Sequence, residues 1–225
     1  MVAKSQTIAT YEILKAELLD GIFQPGEKMK VDQICGRCQA SPGAVREALS
    51  RLTSDGLVES IPQRGFTVAP ISADDLTDLT SVRIEIETKC LKRAIEIGNL
   101  AWEGQIQDAW HQLKHTPLLK GENGEAVLNP DWTKAHSAFH DSLIAACDSK
   151  WWLKLREQLF VQAERYRRML ISYAQANRDV NSEHKAIAEA TIARDKKLAC
   201  DLLAKHLQKT TDHLLASAAP IDFKK

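Results

Sequence analysis

Between Pro25 and Val68 the spacing of apolar and polar positions changes twice. A turn, Pro25-Gly26-Glu27-Lys28, leads into a short apolar segment from Val31 to Cys35, and a polar break follows at Gln39-Ala40-Ser41-Pro42. The next run, Gly43 to Leu52, is amphipathic at helical spacing: Val45, Leu49 and Leu52 share one face, and Arg46 and Ser50 fall off it. Ser41 suits the N-cap and Pro42 the first helical turn, where a missing N–H costs nothing. Gly56 closes the helix. Leu57-Val58-Glu59 and Phe66-Thr67-Val68 then read as two short strands around Pro62-Gln63-Arg64-Gly65. Helix, turn, helix and wing in this order predict a winged helix-turn-helix over residues 1–70, with double-stranded DNA as its partner.

Ala69-Pro70-Ile71-Ser72-Ala73 marks a boundary, with residues 71–73 as linker and Ser72 as the cap of a helix starting at Asp74. Beyond it the pattern is helical throughout. Leu76, Leu79, Val82, Ile86 and Cys90 form one apolar stripe, and a second helix spans Trp102 to Lys114. Thr116 to Pro130 reads as a loop. Further helices are predicted over Asp131–Cys147, Lys150–Ala176, Ser182–Ile192 and Lys196–Ala216, with no strand-like alternation between them. The fold class is therefore mainly α: a winged helix-turn-helix followed by an all-helical bundle over residues 74–225.

A chain of 225 residues suffices for two modest domains. No run of about 18 apolar residues is present, so no membrane span is expected. The odd count of five cysteines and the absence of an apolar leader fit a reducing cytoplasm. Cys35 and Cys38 have C-x-x-C spacing, but no second pair or nearby histidine completes a zinc site. The formal net charge is zero, and residues 1–70 hold eight basic and eight acidic side chains. Placement matters more than the sum. Residues 28–64 carry six basic against four acidic groups, and Arg46, Arg51 and Arg64 lie on the second helix and the wing. The expected DNA-contacting set is Ser41, Gly43, Ala44, Arg46, Arg51, Arg64 and Gly65.

Pro25-Gly26-Glu27-Lys28-Met29, Val45-Arg46-Glu47-Ala48-Leu49, Leu52, Gly56-Leu57-Val58 and Arg64-Gly65 together resemble the pattern of the GntR family of bacterial transcription regulators. One departure is Pro42, which stands where that family commonly places an arginine after the serine, so base readout near it is expected to differ. The bundle resembles the ligand-binding domain of the fatty-acid-regulator subfamily, in the branch called FCD. That likeness rests on Val82-Arg83 with Glu87, Phe139-His140, Glu183-His184, Ala190, Arg194-Asp195, Ala204 and His206-Leu207.

His136 and His140 are four apart and project from one helix face, while His184 and His206 lie on two later helices. Packed around one space, four imidazoles would suit a borderline divalent metal such as Zn²⁺ or Ni²⁺. The resemblance implies a metal held by one aspartate and three histidines; His140, His184 and His206 match the histidines, and His136 replaces the aspartate. His213 is an alternative fourth ligand. His111 and His115, also four apart, match nothing in the family and read as solvated helix residues. The five tryptophans read as core and interface anchors.

Arginine is the second signal. Arg83 sits in an otherwise apolar helix and matches the family's arginine there, and Arg165, Tyr166, Arg167 and Arg168 follow Leu159-Phe160. Arginine forks suit carboxylate capture, so Arg83, Arg165, Tyr166 and Arg168 are the expected effector-binding residues; an exposed helix face paired with Glu157 and Glu164 is the alternative. The His-Ser-Ala-Phe-His and Arg-Tyr-Arg-Arg stretches look similar to the branch controlling carbon-starvation and glutarate-type dicarboxylate catabolism. These readings imply a ligand-responsive regulator: a homodimeric repressor on a palindromic operator, released by a small carboxylate, with a C4–C6 dicarboxylate favoured. The alternatives are a metal-dependent hydrolytic enzyme using the histidines and a constitutive DNA-binding dimer.

Overall fold

The computed structural model describes residues 5–121, 127–170 and 178–217. It divides into two compact units, one comprising the residues up to Leu76 together with Val161–Met169, the other built from Thr77–Phe160 and the described residues from 170 onward.

The first unit opens with helix α1 (Gln6–Leu19), followed by strand β1 (Lys28–Met29), helices α2 (Val31–Cys38) and α3 (Pro42–Ser54), and strands β2 (Val58–Ile61) and β3 (Gly65–Val68). The α2–α3 turn is made by Gln39 in the left-handed region at φ 50°, after which Ser41 caps α3 by accepting from the Ala44 N–H at 3.3 Å. Val45, Leu49 and Leu52 are fully buried, as their spacing predicts. They form one core with Leu14, Leu18, Ile34, Leu57 and Val68. The sheet is antiparallel in the order β1-β3-β2, with Val58 opposite Val68 and Ile61 opposite Gly65. Gly65 adopts φ +89°, which permits the tight wing turn.

Two elements of this unit were not expected. In α1, Thr7 and Thr10 are buried while Ile8 and Ile13 are partly exposed, so its polar pattern does not report its buried face. Strand β1 adds a third strand, pairing Met29 with Phe66. The unit also extends past the expected linker to Leu76. Ile71 and Leu76 are buried, and the Tyr166 hydroxyl joins the Ser72 N–H at 3.1 Å to Asp75 Oδ2 at 2.6 Å.

The second unit is helical: α4 (Ala73–Ile97, entering from the first unit), α5 (Leu100–His115), α6 (Pro130–Ile144), α7 (Lys150–Leu170, of which Val161–Met169 belongs to the first unit), α8 (Val180–Ile192) and α9 (Lys196–Ser217). The expected extension of α7 to Ala176 falls outside the described residues. The loop after α5 carries a two-stranded ladder, β4 (Leu119–Lys120) with β5 (Val127–Leu128), which corrects the expectation of helices alone. Two paired residues per strand are too few to show alternation in the sequence. A second correction concerns α4. Val82 is 44% exposed, whereas Thr80 and Glu87 are buried, so the inner face of α4 is partly polar. The core gathers Leu91, Trp102, Ile106, Phe139, Leu143, Ile187 and Leu203. Trp102 and Trp132 are buried anchors, whereas Trp151 is 71% exposed. Among the described residues no helix is long and apolar enough to cross a membrane, and the five cysteines are free thiols.

Trp102 locks the α5 start: its Nε1 donates to the Ser142 carbonyl at 2.8 Å, and a Cβ on Gly98 would lie 2.1 Å from its ring. Gly98→Ala therefore displaces a buried indole, and a loss of about 1–3 kcal/mol is expected. Urea unfolding followed by far-UV circular dichroism reads this, and an unchanged midpoint would contradict the packing.

Candidate functional site

Helix α6 is started by Asn129, whose side chain accepts from the Asp131 N–H, and by Pro130 in the first turn. Its spacing then places His136 and His140 on one inward face. α8, capped by Asp179, brings in His184, and α9 brings in His206. All four histidines are buried, and one nitrogen from each lies within 4.8 Å of the other three. The rings of His184 and His206 are 4.6 Å apart between centroids, and those of His136 and His140 are also 4.6 Å apart. Trp132 stacks on His136 at 4.6 Å and 19°. His213, the alternative fourth ligand, is not part of this group.

A charged shell holds the rings. His206 Nδ1 lies 2.8 Å from Glu183 Oε2, which leaves Nε2 for the cluster. Arg178 grips Glu183 through two nitrogens, at 3.1 and 2.6 Å, and also donates to the His206 carbonyl at 3.0 Å. Burial pushes the Glu183 carboxyl up, but hydrogen bonding to His206 and Arg178 outweighs it and holds the pKa below the usual carboxylate range. From α4, Glu87 accepts from Arg83 Nε at 3.0 Å and from Arg156 Nε at 3.3 Å. Both guanidinium groups stand over the Phe160 ring, at 5.0 and 4.2 Å. Burial opposes the Arg156 charge, but the carboxylates of Glu87 and Asp141 overcome it and raise its pKa.

Neither ring nitrogen of His140 has a hydrogen-bond partner, although the residue is 1% exposed. Burial, the neighbouring imidazoles of His206 and His184, and the charges of Arg83 and Arg156 all hold its pKa well below the ordinary 6.5. His206 is lowered as well, first by burial. Both rings are therefore neutral at pH 7, the form that ligates. A borderline divalent metal fits this donor set, because it takes imidazole nitrogens in a compact shell and fills the need that leaves His140 unsatisfied.

The other expected residues are placed as follows. Arg83 borders the cluster. Arg165, Tyr166 and Arg168 do not join it: they belong to the first unit, where Arg165 donates to the Ala69 carbonyl, Tyr166 bonds Asp75, and Arg168 pairs with Asp20 at 2.8 Å. On the winged helix, Ser41 and Gly43 are exposed at the start of α3, and the Ala44 side chain is buried in the core. Arg46 and Arg64 are exposed, with Gly65 beside Arg64 at the wing tip. Arg51 pairs with Glu47 at 2.8 Å.

Sequence reasoning missed Glu87, Arg156, Glu183 and Arg178 as parts of the site. The signal for Glu87 was its place one turn after Arg83 on an apolar helix. Arg156 had no signal in the sequence, because charged residues on long helices ordinarily face solvent.

Comparison with known proteins assigns the class. Residues 6–68 match the model "Bacterial regulatory proteins, gntR family", and residues 78–209 match the FCD domain. The chain is 33% identical over 202 residues to the uncharacterised HTH-type transcriptional regulator BphR of Paraburkholderia xenovorans (strain LB400), covering 90% of this chain and 82% of that one. It is also 33% identical over 201 residues to the HTH-type transcriptional repressor GlaR of Escherichia coli (strain K12), covering 88% and 90%. The fold matches that of E. coli McbR/YncC with a TM-score of 0.76 at 22% identity, over 95% of this chain and 98% of the other. The chain belongs to the gntR family of bacterial regulatory proteins and carries an FCD domain. It is a ligand-responsive DNA-binding transcription regulator, not an enzyme.

The lowered pKa values of His140 and His206 carry a stability consequence. Each binds fewer protons when folded than when unfolded, so stability is fully present above about pH 6.5 and is lost as pH falls toward the folded values. Thermal midpoints of metal-free protein should fall between pH 6.5 and 5 and show a shallower fall in His140→Gln. A wild-type midpoint that holds constant over that range would contradict the assignment.

Proposed function

We propose that the protein is a cytoplasmic, homodimeric repressor whose bundle binds a small carboxylate on a divalent metal, Zn²⁺ or Ni²⁺, held by His136, His140, His184 and His206. The observation that carries this reading is the convergence of four buried imidazoles, with His140 unpartnered at both nitrogens. When bound, the metal supplies a Lewis-acidic position for one carboxylate. Replacing the family's aspartate by His136 leaves the site one charge more positive, which favours an anionic ligand. Arg83 supports the second carboxylate of a C4–C6 dicarboxylate, and Arg156, whose buried Nη2 lacks a partner, adds positive charge behind it. The repressor reading draws on the relative GlaR, which is named a repressor.

On DNA, two copies of α3 enter successive major grooves of a palindrome about one helical turn apart. Arg46 and Arg64 are exposed and in no ion pair among the described residues, so they are available cations for phosphate or guanine, with Ser41, Gly43 and the Ala44 backbone at the helix N-terminus. Arg51 must first give up Glu47. Effector binding releases the operator if it favours the other dimer arrangement by about 1–3 kcal/mol.

Arg46→Ala should weaken operator binding by about 1–3 kcal/mol, with Arg64→Ala weakening it too. Gel shifts on the gene's own promoter test this, and wild-type affinity in both folded variants would refute the placement. For the effector, calorimetric titration of metal-loaded protein should detect short dicarboxylates and no long acyl thioester. Arg83→Ala should lose the response and keep operator affinity. Tight binding of an acyl thioester, or of a metabolite with no carboxylate, would overturn the effector class.

A further inference from the structure

A second pair of histidines stands apart from the buried cluster. His111 and His115 lie in the last two turns of α5, both exposed, with ring centroids 4.4 Å apart at 49°. The buried pair His136 and His140, separated by the same four residues, has 4.6 Å and 61°. One helical spacing has thus produced two imidazole pairs of nearly the same shape, one enclosed and one open to water.

The exposed pair is also held in place. His115 Nδ1 lies 2.8 Å from the His111 carbonyl oxygen, so the neutral ring donates from Nδ1 and presents the Nε2 lone pair outward. Such a hydrogen bond on the far nitrogen is what orients histidines that bind metals. The turn beneath is fixed by Leu113, which is fully buried, and by the Thr116 hydroxyl donating to the Gln112 carbonyl at 2.8 Å. His115 further lines a cavity of about 350 Å³ together with Trp132, the residue stacked on His136.

We propose that His111 and His115 form a second, solvent-facing chelate for a divalent transition ion that prefers imidazole, with water completing its shell. Two protein ligands in water make it weaker than a four-imidazole site, and its place on the cavity rim means that an ion there cross-links the end of α5 beside that opening. The site requires nothing of the buried cluster.

Nickel titration of the full, chelator-stripped chain tests this, with equilibrium dialysis at pH 7.5 and circular dichroism to confirm folding. Wild type should show a weaker class of sites that disappears in the double variant His111→Ala/His115→Ala. The same weaker class should persist in His140→Ala, which separates this site from the buried one. A double variant that keeps the weaker class, or wild type that shows no such class, would overturn the proposal.

Discussion

Four imidazoles packed into one buried space set the terms for the rest of the helical unit. An unsatisfied buried polar atom costs about 1–3 kcal/mol, and His140 has two of them. Protonation offers no relief, because burial, neighbouring imidazoles and two nearby arginines all oppose it. The surrounding charges are arranged accordingly. Glu183 and Arg178 orient His206 from outside, and Glu87 bridges Arg83 and Arg156 where they press on Phe160. Breaking one such buried pair typically costs about 3–5 kcal/mol, so a shell of this kind is costly to disturb and well suited to holding ligands still. A neutral His140 with both nitrogens unpartnered, packed against three further imidazoles, is the physical basis of the metal proposal.

The winged unit solves a different problem. Its formal charge is balanced, so it depends on which cations are already committed. Arg37 is paired with Glu17 and Arg51 with Glu47, while Arg168 from α7 pairs with Asp20. Arg46 and Arg64 stay outside this pairing, one on α3 and one on the wing. A balanced formal charge favours a specific site over general adhesion to DNA.

How much of this was legible in the sequence depended on whether burial followed polarity. Helix α3 and the wing were readable because Val45, Leu49 and Leu52 are both apolar and buried, and because Ser41 and Pro42 mark the start. α1 was not, since it buries Thr7 and Thr10 and leaves Ile8 and Ile13 partly exposed. The same inversion hid the inner face of α4, where Thr80 and Glu87 turn inward and Val82 outward. The four histidines were visible through a spacing of four and a family resemblance. Their charged shell was not, because nothing in a helical pattern separates a buried Arg156 from a solvated one. The partners of the Arg165–Arg168 stretch, among them Ala69, Glu164 and Asp20, were hidden for the same reason.

The central claim is that the histidine cluster is a metal centre, and X-ray absorption at the zinc edge of zinc-reconstituted protein tests it most directly. The expected spectrum has a nitrogen and oxygen shell at about 2.0–2.1 Å with the outer-shell scattering of several imidazoles, lost in His140→Ala. Failure to retain zinc, or a shell containing sulfur near about 2.3 Å, would contradict the account.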